Sequence, residues 1–118
     1  MTQFRDTELR SLILEGKVAE FNARAAEAAP DLESISLRGA DLQGFDLSHA
    51  NLRSAYLRTA DLRGCDLFWA DLEGASLHDA RISGARFPRN LAPDEIRLSV
   101  DLGTRLRTTT TPAAPKAG

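Results

Sequence analysis

Residues 60–74 read ADLRGCDLFWADLEG. Leu62, Leu67 and Leu72 recur at every fifth position, and Ala60, Cys65 and Ala70 each stand two places before a leucine. The same spacing extends in both directions. From Ile35 to Arg89 the chain divides into eleven units: ISLRG, ADLQG, FDLSH, ANLRS, AYLRT, ADLRG, CDLFW, ADLEG, ASLHD, ARISG and ARFPR. The third place is leucine up to Leu77, then Ile82 and Phe87, and the first is mostly alanine. One unit departs sharply, because Phe68 and Trp69 stand where its neighbours carry small or polar residues.

The period restricts the backbone. In an α-helix five residues advance about 500°, so successive leucines would spread around the cylinder. In a straight strand an odd period sends successive leucines to opposite faces. A chain that bends after every unit resolves the conflict, with the first and third residues pointing in and the others out. Repeated bending in one direction makes a coil, and stacked coils bury a leucine interior. Five of the eight glycines, Gly39, Gly44, Gly64, Gly74 and Gly84, fall at the fifth place, where a tight bend favours a residue without Cβ. Thr59 and Trp69 share that place, so the turn type is expected to vary.

The run ADLQG, ANLRS, ADLRG, ADLEG resembles the pentapeptide-repeat family, whose pattern is A(D/N)LXX. The resemblance implies a β-class fold: a right-handed quadrilateral β-helix with four units per coil. Here that gives just under three coils, about 13 Å tall at strand spacing. Phe45 and Cys65 depart from the pattern at the small site. Tyr56, Ser76, Arg81 and Arg86 depart where Asp or Asn is usual, three of them in the last three units.

The expected organisation is an N-terminal helical cap over 1–34, the repeat over 35–89, a C-terminal cap over 90–107 and a disordered tail over 108–118. Residues 7–29 read as helix. Asp6 or Thr7 can cap it, Gly16 can kink or divide it, and Pro30 ends it. Leu14, Val18, Phe21, Ala25 and Ala28 form one apolar face, and Leu9, Leu12 and Ile13 form a second cluster. The helix is expected to cover the open end of the first coil. After Pro88, APDEIRLSV can start a helical turn, whereas IRLSVDL alternates like a strand. As a strand it can pair with its copy in a second chain, the C-terminal homodimer that the resemblance implies. The tail TTTTPAAPKAG is a bland terminus, or a tether or docking peptide.

The chain has 118 residues, with 15 Lys and Arg against 17 Asp and Glu. The near balance argues against binding nucleic acid or a membrane through a basic field. No run of 18 apolar residues suggests a membrane span, the N-terminus lacks a secretory apolar core, and the single Cys65 cannot form an internal disulfide. A cytoplasmic protein is expected.

With four units per coil, residues twenty apart stack. The third wall then shows Asp46, Asp66 and Arg86 in one column, with Ser48, Phe68 and Pro88, then His49, Trp69 and Arg89, in the next two. Phe68 and Trp69 point outward, because Cys65 and Leu67 fill the inside. Phe68, Trp69, His49, Arg89, Pro88 and Asp66 are therefore the expected partner-binding residues. A terminal segment folding over the two aromatics is the competing structural explanation.

No catalytic, cofactor or metal site is expected. The stacked pairs Asp41 with Asp61 and Asp46 with Asp66 recur with the repeat, and are read as backbone acceptors rather than a cation site. His49 and His78 fall on different walls. Cys65 faces inward and reads as packing rather than nucleophile. The sequence contains no nucleophile triad, P-loop or dinucleotide fingerprint. The expected function is a non-catalytic protein–protein interaction or scaffold module. The alternative implied by the resemblance is protection or modulation of a type II topoisomerase, gyrase, by an acidic rod that mimics DNA. Residues 35–89 weigh against it, because seven acids are matched by seven arginines and duplex mimicry needs a negative field.

Overall fold

The computed structural model describes residues 2–109, with side chains from residue 8 onward. Its helices are α1 (Thr2–Leu14), α2 (Val18–Glu27) and α3 (Pro93–Leu102), two before the repeat and one after it. No strand or sheet occurs among the described residues, which corrects the expected β class and quadrilateral β-helix. Instead, isolated parallel bridges join residues twenty apart: Asp31 to Asn51, Ser36 to Tyr56, Asp41 to Asp61, and onward through Asp66 to Arg86. The reason is the period itself. A corner after every few residues leaves one bridging residue per side, too few for consecutive pairing into a strand.

Around each bridge the backbone hydrogen bonds are regular. Asp61 N–H donates to Ala40 O at 2.9 Å, and Leu42 N–H donates to Asp61 O at 2.9 Å. The coils are thus stacked one residue at a time. Leu32, Leu37, Leu42, Leu47, Leu52, Leu57, Leu62, Leu67, Leu72 and Leu77 fill the interior, each no more than 1% exposed. Ile82 and Phe87, in the last coil, are only half-buried.

The coils begin one unit earlier than the leucine pattern from Ile35 indicates. Leu32 is fully buried, its N–H bonds Asn51 O at 2.8 Å, and Ser34 takes a corner conformation at φ 61°. Pro30 occupies the small site of this unit, which disguised it.

The corners explain the glycines and their substitutes. Gly39, Gly44, Gly64, Gly74 and Gly84 have positive φ, and so do Ser34, Ser54, Thr59 and Asp79 at equivalent places. Thr59 therefore adopts the left-handed turn despite its branched Cβ. Trp69 and His49 do not, so the third wall turns its corner differently.

Gly16, at φ 72°, divides the expected single helix in two. Lys17 N–H closes back on Leu12 O at 2.9 Å and Gly16 N–H on Ile13 O at 3.0 Å, a glycine-terminated helix end. The division splits the expected apolar face: Phe21 is fully buried, but Leu14 is 52% exposed. On α1 the buried side is Leu9, Leu12 and Ile13. Helicity already runs from Thr2, ahead of the expected cap at Asp6 or Thr7, whose side chains lie outside the described residues.

The cap also replaces hydrogen bonds that a preceding coil would supply. Asn22 Oδ1 accepts from Asp46 N–H at 2.7 Å, and Asn22 Nδ2 donates to Gly44 O at 3.0 Å. Arg10 Nε donates to Ser36 O at 3.0 Å. The Phe21 ring meets Phe45 edge-on, with centroids 5.3 Å apart.

At the other end, the helical reading of residues 93–102 holds and the strand reading of IRLSVDL does not. Pro93 begins α3, Asp94 and Glu95 sit in its positive first turn, and Gly103 at φ 79° ends it. Ser99, fully buried, accepts from Leu77 N–H at 2.9 Å and donates to Thr104 O at 2.6 Å. Beyond the helix the chain runs antiparallel to the last coil, with Arg105 bridging Ser76 and Leu106 fully buried. Thr108, assigned by sequence to the tail, donates through N–H and Oγ1 to Glu73 Oε1 at 2.9 and 2.6 Å. Residues 110–118, the rest of the expected tail, lie outside the described residues.

Candidate functional site: the third wall

The third wall differs from the others in its backbone before its side chains. Of the eight stacked pairs from Asp31–Asn51 to Asp66–Arg86, only Asp46–Asp66 lacks a bridge. Phe45 and Cys65, both larger than alanine, occupy the small sites on this side. Cys65 Sγ donates to Leu42 O at 3.4 Å.

On the surface of this wall the expected residues come together in part. His49 and Trp69 are stacked and nearly parallel, with centroids 6.5 Å apart and an interplanar angle of 3°. Phe68 meets Trp69 edge-on at 4.8 Å. Phe68 and Trp69 are half-buried and His49 is exposed. The aromatics thus lie outside the leucine column, as the alternation requires, and cover one another. Asp66 accepts from Phe68 N–H at 3.0 Å, which ties the carboxylate to the base of the aromatic pair.

Two expected members stand differently. Pro88 is buried, because the chain leaves the repeat there: Leu91 N–H turns back to Pro88 O at 3.2 Å, and Asn90 and Leu91 are buried beside it. Arg89 is exposed but forms no ion pair among the described residues.

One member was missed. Arg86 Cζ lies 4.3 Å from the Phe68 ring centroid, and its Nη1 is 3.5 Å from Asp66 Oδ2. The signal was present in the sequence, since Arg86 follows Asp46 and Asp66 in one column and opposite charges on adjacent coils attract.

The Asp and Asn side chains at the second place of the units do local work. Backbone N–H groups two residues on donate to the side-chain oxygens of Asp31, Asp41, Asp46, Asn51, Asp61, Asp66 and Asp71, at 3.0 to 3.3 Å. This is the backbone role expected from the repeat. Asp61 is further held by Arg63 at 2.6 and 2.9 Å, which draws its pKa down to about 2. Arg53 pairs with Asp71 at 3.0 Å on the fourth wall. Burial, with Asp61 and Asp41 nearby, pushes the Cys65 thiol up to about 11, which suits packing and not a thiolate nucleophile. Among the described residues no three or more His, Cys, Asp or Glu side chains group as metal ligands, and no helix is long and apolar enough to cross a membrane.

The family model for pentapeptide repeats matches residues 31–67 in eight copies, starting at the unit that the leucine pattern missed. No curated protein matches the chain. Among solved structures, that of alr5209, a pentapeptide repeat protein from Nostoc PCC 7120, is similar at 37% sequence identity with a TM-score of 0.27. The match covers 58% of this chain and 60% of that one, so the chain spans less than two thirds of that protein's length. The likeness to the pentapeptide-repeat family is thus carried by residues 31–67 of the chain.

Proposed function

We propose that this repeat protein is a non-catalytic interaction module that binds another protein through its third wall. The observation behind this reading is the aromatic array. His49, Trp69 and Phe68 form a continuous ring surface on the wall, outside the leucine column. Half-exposed aromatics beside charged groups are the side chains that dominate protein interfaces. The leucine interior keeps them in place before binding, so association orders little that is not already ordered. The match of residues 31–67 to a repeat family supports an interaction role without naming a partner.

The test uses the full chain as bait. Trp69→Ala is expected to leave the melting temperature within about 2 °C, since the ring lies outside the core and surface changes cost little. A protein captured by the wild type should be lost with the variant. Capture unaffected by Trp69→Ala in a fully folded variant removes the third wall as the interface. Inhibition of gyrase supercoiling by the wild-type chain, unaffected by Trp69→Ala, would instead support the topoisomerase alternative.

A further inference from the structure

One wall carries no acid at the second place of its units. The first wall, built from residues 35–39, 55–59 and 75–79, has Ser36, Tyr56 and Ser76 there. They form one column, bridged Ser36 to Tyr56 and Tyr56 to Ser76. On each other wall an arginine pairs with a second-place carboxylate: Arg63 with Asp61 at 2.6 Å, Arg86 with Asp66 at 3.5 Å, Arg53 with Asp71 at 3.0 Å.

The first wall keeps its arginines without those acids. Arg38 and Arg58 hold the fourth place on consecutive coils, and both are exposed. Gly39 N–H donates to Arg58 O at 2.8 Å, which sets the two arginines side by side in the stack. Neither guanidinium forms an ion pair or hydrogen bond among the described residues. Two more arginines reach this wall from the caps. Arg10 Nε donates to Ser36 O at 3.0 Å. Arg105 donates to Gly74 O at 2.8 Å and to Tyr56 Oη at 3.0 Å. Those acceptors are neutral, so all four positive charges remain. The one acid of these three units is Asp79, at the last corner beside His78, 3.7 Å away. Like charges on adjacent coils repel, and no local carboxylate offsets them here.

We infer that the first wall binds an acidic peptide segment of a partner, laid along the stack with its carboxylates on Arg38 and Arg58. A planar guanidinium donates two parallel hydrogen bonds to a carboxylate. Tyr56, 43% exposed between the two serines, offers an apolar surface beside the charges. The flanking walls argue for a narrow ligand. Asp31 and Glu33 on one side and Asp41 on the other form no ion pair among the described residues. A polyanion wider than one wall, such as a nucleic-acid duplex, would meet those acids; an extended peptide would not. The first wall is two units round the coil from the aromatic wall, so this surface is additional to the third-wall interface.

The probes are dye-labelled, blocked peptides Gly-Glu-Glu-Glu-Glu-Gly and Gly-Gln-Gln-Gln-Gln-Gly, and a single strand of six thymidines, titrated into the full chain by fluorescence anisotropy. The glutamate peptide should bind saturably, at least about fivefold tighter than the glutamine peptide, and weaken with added salt. Arg38→Gln with Arg58→Gln should weaken it about three- to tenfold. Arg81→Gln with Arg97→Gln removes the same charge from exposed residues elsewhere and should change it less than about twofold. Ser36→Asp restores the repeat's own acid two places before Arg38, as Asp61 stands before Arg63. It should compete for that guanidinium and weaken the peptide about threefold, in a backbone position that accepts Asp in other units. Equal binding of the two peptides, equal loss in the two arginine pairs, indifference to Ser36→Asp, or tighter binding of the thymidine strand overturns the inference.

Discussion

Arg63 illustrates how a residue outside the core is placed by the repeat. The bend after Leu62 returns the chain so that Arg63 N–H, Nε and Nη2 all face Asp61, at 3.1, 2.9 and 2.6 Å. The guanidinium hydrogen bonds are the largest reason that the Asp61 pKa falls to about 2. The folded pKa lies below that of an unfolded Asp, near 4, so the pair's contribution is complete above that pH and is lost as pH falls through about 2. Arg63→Gln should return the Asp61 titration towards ordinary Asp values. A carbon-detected NMR titration of the side-chain carboxyl checks this, and an unchanged midpoint would assign the shift to the backbone turn instead. The Asp of the repeat motif was legible as a backbone acceptor because it recurs where the chain bends. Its pairing with Arg63 was not, because two outward residues separated by one position show no shared direction until the corner is built.

At the scale of elements, the two caps solve one problem by different means. The first coil has no coil before it, and α1 and α2 supply Asn22 and Arg10 to its backbone. The last coil is closed by Ser99, which satisfies Leu77 N–H from within α3. Ser99 is a polar residue in the middle of an apolar helix face, flanked by Ile96 and Val100, which are packed on the core. Ser99→Ala would leave the Leu77 donor buried without a partner. The expected cost is about 1–3 kcal/mol, read as a lower denaturation midpoint with an unchanged slope. Loss of less than about 0.5 kcal/mol would mean that water replaces the hydroxyl. Sequence periodicity left α3 open between helix and strand, since IRLSVDL fits both. Pro93, Glu95 and Gly103 at its ends decide for the helix, and burial of Ser99 fixes which side faces the coil.

For the whole molecule, the stack predicts cooperative unfolding with one exception to test. Each coil is joined to the next by single bridges on every side except at Asp46–Asp66, beside Cys65. Cys65 is 5% exposed and its thiol is held protonated, with the pKa at about 11, so a thiol reagent at neutral pH reaches it only after opening. If the molecule opens as a unit, the labelling rate should rise with denaturant as steeply as global unfolding does. A much shallower dependence would show that the third wall opens locally at the missing bridge, and would make the aromatic array a mobile surface. The expected β-helix fails at this scale for a geometric reason. Stacking was correctly read from the period, but five residues per side leave room for one bridge and not for a strand.

The sequence alone determined the interior, because a leucine every fifth residue has only one side of a repeatedly bent chain on which to hide. It also determined that Phe68 and Trp69 lie outside, since Cys65 and Leu67 take the inward places. Only the tertiary structure decided that the stack begins at Leu32, that Pro88 is buried while Arg86 joins the wall, and that His49 lies parallel to Trp69. Those outcomes depend on contacts between residues about twenty apart or at the chain's exits from the repeat, where local pattern carries no information on distance.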